Sequence, residues 1–287
     1  MSHPADDVSP AHIADLLRVG DGFVLSGVDP DATPGYDGNK KRAERDLAEG
    51  AERFDELQER LFAQSRTNDD APSVLLVLQA MDSAGKGGIV RHVIGATDPQ
   101  GIHLKSFKKP TSEELAHDFL WRIESEAPHP GYIAVFDRSH YEDVLIGRVR
   151  SLASPEEIER RYGAINEFEA RLVERGTTIV KVMLDISYEE QRSRLMKRLD
   201  RPDKHWKYNP GDVDERQLWP QYMAAYQIAL ERTSTASTPW YVVPANHKWY
   251  ARLAVQALLI DALDRINPQW PAADFDVEAE KARLAAT

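Results

Sequence analysis

Apolar residues in this chain follow two different periods, and the two take turns. Between Lys40 and Gln64, the residues Leu47, Phe54, Leu57, Leu61 and Phe62 recur at steps of three, four and seven, with charge on the other faces. That period predicts one long helix. Asn68 to Ser73 reads as a loop, and then the pattern changes. Val74–Gln79, Ile102–Phe107, Tyr132–Phe136, Thr178–Leu184 and Tyr241–Val243 are short β-rich runs, read as apolar strands buried on both faces. Helical stretches separate them: Gly85–Ile94, Ser112–Ile123, Pro155–Glu174 and Tyr188–Leu199, then a helix opening at Asp212 and a last one ending near Ile266. Pro155 directly after Ser154 is a helix start signal. Asp212 with Glu215 three residues on predicts a capping box, and Asn246 is expected to cap the last helix.

Strands that alternate with helices form βαβ units. The predicted fold is therefore α/β: one three-layer domain with a parallel sheet of about five strands over residues 70–267, joined by right-handed crossovers. Residues 1–69 read as an N-terminal arm and helix packing on that domain. Pro4, Pro10, Pro30 and Pro34 break the arm, a short helix fits Ala11–Val19, and Phe23, Val24 and Leu25 would be exposed unless the arm packed down. Residues 268–287 read as a peripheral tail, and no internal repeat is visible.

Charge and composition narrow the function. The 47 Asp and Glu outnumber 36 Lys and Arg, for a net charge of −11. That argues against a nucleic-acid partner. With no cysteine, disulfides, zinc thiolates and thiol nucleophiles are excluded. No apolar run is long enough for a membrane span. The polar stretch Met1 to Pro10 has no export signal, so a cytoplasmic location is expected.

The first strand ends in Gln79-Ala80-Met81-Asp82-Ser83-Ala84-Gly85-Lys86-Gly87-Gly88. A strand, a small-residue loop and a helix make the P-loop context, in which backbone N–H groups cradle phosphates and a lysine reaches the outer ones. The backbone of Ala84, Gly85, Gly87 and Gly88, and the Lys86 ammonium, are the candidate phosphate binders. The loop departs from G-x-x-x-x-G-K-S/T at two places. Ala80 replaces the first glycine, and Gly87 stands where a metal-binding hydroxyl belongs. Asp82 is the obvious substitute ligand for Mg²⁺. The third strand runs into Asp137-Arg138-Ser139-His140-Tyr141-Glu142-Asp143. An aspartate at a strand's carboxyl end is the Walker-B arrangement, and Arg138 beside it can neutralise a phosphoryl group. Each of these also fits an ordinary strand end. Glu142 is a further metal candidate, and His140 is assigned no chemistry.

Residues 192–207 carry seven Lys or Arg and two Asp, a net of +5, which leaves −11 − 5 = −16 for the rest. A charge run is usually a solvated face. This one falls between the last two strands, where nucleotide kinases carry a lid over about 188–212. Arg194 and Arg198 share a helix face there. Lys204, Trp206 and Lys207 follow, and Lys105, Lys108 and Lys109 near the second strand's end are weaker candidates for the same anion path.

Three segments together resemble the polyphosphate kinase 2 family: Leu78 to Gly88, Phe136 to Leu145, and the run with Arg194, Arg198, Pro202, Lys204, Trp206 and Lys207. The family's P-loop also has an aspartate and lacks the Ser/Thr. The resemblance implies a thymidylate-kinase-like fold with a helical lid. It implies Mg²⁺-dependent, reversible phosphoryl transfer between inorganic polyphosphate and nucleotides. By position, Asp82 and Asp137 would organise Mg²⁺, Lys86 and Arg138 would hold phosphates, and Arg194 and Arg198 would come from the lid. The Gln-Ala-Met-Asp and Ser-His-Tyr-Glu-Asp forms are most similar to the subgroup that phosphorylates both AMP and ADP. A homodimer or tetramer is the family's habit. Two rivals are an ATP-dependent nucleotide kinase on the same fold and a non-catalytic nucleotide or polyphosphate sensor.

Overall fold

The computed structural model describes residues 9–287, so most of the polar N-terminal stretch lies outside the described residues. Strands β1 (Ser73–Ala80), β2 (Ile102–Ser106), β3 (Ile133–Asp137), β4 (Thr177–Asp185) and β5 (Trp240–Pro244) form one sheet in the order β2-β3-β1-β4-β5. All pairings are parallel, with Leu78 opposite Asp137 and Ala80 opposite Leu184. The chain leaves β1 for one side of the sheet, returns through β3, and then crosses to β4 on the other side. That reversal beside β1 is where open α/β sheets form their crevice.

The helices are α1 (Pro10–Leu17), α2 (Lys40–Gln64), α3 (Lys86–His92), α4 (Trp121–Glu124), α5 (Ile146–Val149), α6 (Pro155–Glu174), α7 (Tyr188–Leu199), α8 (Gly211–Gln217), α9 (Trp219–Thr233), α10 (Lys248–Ile266) and α11 (Val277–Ala285). Period-two alternation divides the sheet's side chains between two cores. Val74, Leu76 and Leu78 face α1, α2, α3 and α10, while Leu75 and Val77 face α5, α6 and α9. Helix α10 is buried over most of its surface, which explains its nearly unbroken apolar sequence. The arm does pack down: Ile13 and Leu17 join the first core, and Leu25 is buried. Val24 stays 59% exposed. Among the described residues, no helix is long and apolar enough to cross a membrane.

Four expectations need correction. Ser112–Ile123 is not one helix; it holds a 3₁₀ turn at Glu114–Ala116 and the short α4. Thr111 and Glu114 bond each other's backbone N–H, at 2.7 and 3.2 Å, and Asp118 caps Leu120 N at 3.1 Å. These local bonds compete with a continuous helix. Strand β2 lies at the sheet edge and is partly exposed along its length, rather than buried. The Asp212 box does not form. Helix α8 starts at Gly211 without a side-chain cap, and Asp212 turns to Arg198, at 3.4 Å. Asn246 does not cap α10; its side-chain Oδ1 accepts from Ser187 N at 2.9 Å and joins the β5 exit to the start of α7.

Candidate active site

The chain leaves β1 at Ala80 and enters α3 at Lys86. The turn between them needs left-handed backbone at Ser83 (φ 67°) and Gly85 (φ 134°), and the latter angle is one that only glycine adopts freely. Lys86 arches back over the loop, with Nζ 3.2 Å from Ala80 O. One strand away, Asp137 ends β3, and Arg138 follows at φ 65° with its N–H on Leu78 O at 3.1 Å. The Arg138 guanidinium lies 3.1 Å from Asp82 Oδ1, bridging the two loops. Burial disfavours its charge, but Glu142, Asp82 and Asp137 outweigh that and raise its pKa. Glu142 is half-buried behind the cleft. In the amide orientation that satisfies both ends, Gln79 donates to it at 2.9 Å and accepts from Ser139. Burial raises the pKa of Glu142 against the pull of Arg138 and Lys86.

These loops open into a cleft of about 830 Å³. Its described lining carries twelve cations, Lys86, Arg91, Lys108, Arg138, Arg194, Lys197, Arg198, Arg201, Lys204, Lys207, Lys248 and Arg252, against two carboxylates, Asp82 and Asp137. Crowding shows in the titration of the wall. Burial, with Arg194, Lys197 and Arg252 nearby, lowers the Lys248 pKa. Burial, then Arg252 and Arg91, lower that of His92. Like charges held this close favour an anion between them.

The candidates divide. Asp82, Lys86, Asp137, Arg138, Lys108, Arg198, Lys204, Lys207 and the Ala84–Gly88 loop meet in the cleft. Lys105 does not; it pairs with Glu126, which His103 also contacts at 2.8 Å, outside the cleft wall. Trp206 is 77% exposed and packs under Lys207, whose Nζ is 4.7 Å from the ring centre. Arg194 lines the cleft but is only 4% exposed, and its donors are taken. It bonds Ser83 O (3.1 Å), Ala84 O (2.5 Å), Ala245 O (2.5 Å), Asn246 O (2.9 Å) and Glu190 (2.7 Å). It clamps the P-loop to the exit of β5, where a mobile phosphate-seeking arginine was expected. Sequence reasoning missed Arg91, Lys197, Arg201, Lys248 and Arg252. Lys248 and Arg252 did leave a signal: two cations four apart in the first turns of a helix repel each other and oppose its dipole.

A cation-rich crevice at the switch point of a parallel sheet, floored by a Gly-Lys loop, defines a P-loop phosphotransferase of the kinase type. Residues 38–271 match the family described as Polyphosphate kinase 2, and the chain belongs to that family. It is 44% identical over 249 residues to an AMP/ADP-polyphosphate phosphotransferase of Meiothermus ruber, covering 87% of this chain and 91% of that one. It is 39% identical over 268 residues to an ADP-polyphosphate phosphotransferase of Rhodopseudomonas palustris, covering 89% and 91%. The crystal structure of polyphosphate kinase 2 from Arthrobacter aurescens TC1 superimposes with a TM-score of 0.93 at 58% identity, over 98% of both chains.

Proposed function

We propose that the cleft transfers a phosphoryl group from inorganic polyphosphate to AMP or ADP, giving ADP and ATP, and that it runs in both directions. The observation that carries this is the lining itself. Twelve cations surround two carboxylates in a protein of net charge −11. A linear polyanion needs such a channel and has no base to recognise. The relatives named for polyphosphate and for AMP or ADP support the same substrates.

Asp82 and Asp137 would hold Mg²⁺. They are hard oxygen donors, and among the described residues no cluster of three or more His, Asp or Glu is set to cage a metal. Two carboxylates that leave positions for water and phosphate oxygens suit Mg²⁺. When bound, the ion would supply neutralisation of the phosphate charge. The protein's own groups do the positioning. The loop N–H groups and Lys86 hold the donor's terminal phosphates. Arg138 releases Asp82 to meet the transferring group, and Arg198, Lys204 and Lys207 cover it from the lid. A phosphate oxygen of the nucleotide attacks the terminal phosphorus in line. The bond to the bridging oxygen breaks, and the polyphosphate leaves one unit shorter. No side chain acts as nucleophile, because positioning and charge carry this chemistry. The same reading takes in cytoplasmic action and a homodimer or tetramer, which light scattering checks.

The test is to incubate the protein with Mg²⁺, AMP and either polyphosphate or ATP, and to separate the products by anion exchange. ADP and then ATP are expected from polyphosphate. ADP formed only from ATP would favour an ordinary nucleotide kinase, and binding without turnover would leave a sensor.

A further inference from the structure

Beneath the strand-end loop lies a charge network that the mechanism does not use. Lys181 in β4, Glu169 in α6, and His140 and Tyr141 in the 3₁₀ turn His140–Asp143 are all fully buried. Glu169 Oε1 accepts from Tyr141 Oη at 2.7 Å and from His140 Nε2 at 3.3 Å. Its Oε2 accepts from Lys181 Nζ at 2.6 Å and from Thr238 Oγ1 at 3.0 Å. Lys181 also donates to Thr233 O at 2.6 Å and Tyr141 Oη at 3.1 Å. Four donors converge on one carboxylate, so the centre must be an acceptor-only group.

Such a pair is poor evidence for stability, because apolar side chains of similar volume hold a core as well or better. Its geometry shows what else it does. The residues it grips follow Asp137 and Arg138 by only a few positions, and Arg138 sits in left-handed backbone without being glycine. Such a conformation persists only where its surroundings over-determine it. On one side, Gln79 bonds Ser139. On the other, Glu169 pins His140 and Tyr141. We infer that Glu169, with Lys181 setting its position, is a positioning residue that locks the Asp137–Glu142 loop from below and so aims Arg138 at the cleft. The inference rests on the proposed role of that loop in phosphoryl transfer.

Two variants test it. Glu169→Gln places an amide N–H₂ among donors and strands Lys181, which risks the fold. Tyr141→Phe keeps the ring and the Lys181–Glu169 pair while cutting the shorter of the two ties to the loop, and His140 keeps the other at 3.3 Å. Two readouts are needed: kcat and KM with AMP and polyphosphate, and amide hydrogen exchange of residues 138–143. The expected result for Tyr141→Phe is a kcat about tenfold lower, since a misplacement of about 1 Å at a reacting group costs on the order of a hundredfold. KM for polyphosphate should stay within about twofold, the mark of a loss confined to the transition state. The loop amides should exchange about tenfold faster, while β4 and α6 keep their protection. A folded Tyr141→Phe with unchanged exchange at 138–143 would overturn the inference, as would protection lost evenly across the protein. Arg138→Ala with wild-type turnover would instead refute the catalytic role of the loop, and the exchange result would still decide whether the network locks it.

Discussion

Arg194→Lys keeps the charge and loses the fork. In the wild type, one planar guanidinium bridges Ser83 and Ala84 in the P-loop to Ala245 and Asn246 at the exit of β5, with its Nε on Glu190. A lysine ammonium has three donors at one point and cannot reach both carbonyl pairs. At least two charge-assisted bonds are lost, each worth about 1.5–3 kcal/mol. The side chain is 4% exposed, so the freed carbonyls gain little water in return. A loss of about 3–5 kcal/mol follows, on the order of 10 °C in Tm for a chain of this size. The P-loop carbonyls also lose the hold that turns the loop N–H groups towards the cleft, so kcat should fall about tenfold or more. The KM for polyphosphate and its salt dependence should not change, because no free donor is removed. Thermal melts and salt titrations of the steady-state rate measure both sides. Unchanged Tm with a raised KM and a shallower salt slope would mean that the guanidinium reaches phosphate, and the clamp would be wrong.

Lys86→Met and Asp137→Asn should each lower kcat about a hundredfold or more, the usual loss for a charge matched to a transition state. Circular dichroism should stay native, and near wild-type rates in either would remove the site from this cleft. Arg198→Ala should lower turnover and weaken apparent polyphosphate affinity. Each lost phosphate contact on a linear polyanion also flattens the log–log salt dependence by about 0.7–0.9, and an unchanged slope would make the basic run ordinary surface. Burial alone raises the pKa of Asp185 to about 7 from 3.8, which stabilises the fold fully below pH 3.8 and less as pH rises through 7. Asp185→Asn should therefore match the wild type near pH 4 and exceed it at pH 8, by at most about 4 kcal/mol for a shift of that size. Urea melts across that range check it, and a difference independent of pH would refute the cause.

How much of this was legible depends on the range of each interaction. Strand runs such as Val74–Gln79 and helices such as Pro155–Glu174 are local patterns, and they stand within a residue or two of where periodicity puts them. Asp82, Lys86, Asp137 and Arg138 could be read because each sits within a short motif that begins at a strand end. The errors come where a distant partner decides. Asp212 has the sequence of a cap, yet Arg198 takes its carboxylate. Lys105 has the charge for the anion path, but alternation along the edge strand turns it to Glu126. Lys248 and Arg252 reach the cleft only because β5 lies at the far edge of the sheet and α10 returns from it past the P-loop. Their spacing marks two cations out of place in the first turns of a helix, but only the order of the strands carries them to the cleft.

The two arginines of α7 show how one helix face can serve two ends. Arg194 is tied to the P-loop and to the exit of β5, so the first half of α7 belongs to the fixed floor of the site. Arg198, one turn on, holds Lys207 O at 3.1 Å and Asp212 at 3.4 Å, both in the segment that follows the helix. It is therefore tied to that segment and not to the P-loop, so the two arginines bond different parts of the chain. Burial, then the nearby charge of Asp82, raise the pKa of Asp212 despite Arg198. Five bonds fix Arg194, while Arg198 has one carbonyl at 3.1 Å and one carboxylate at 3.4 Å, so Arg198 is the arginine of the two whose guanidinium is more open to a further partner.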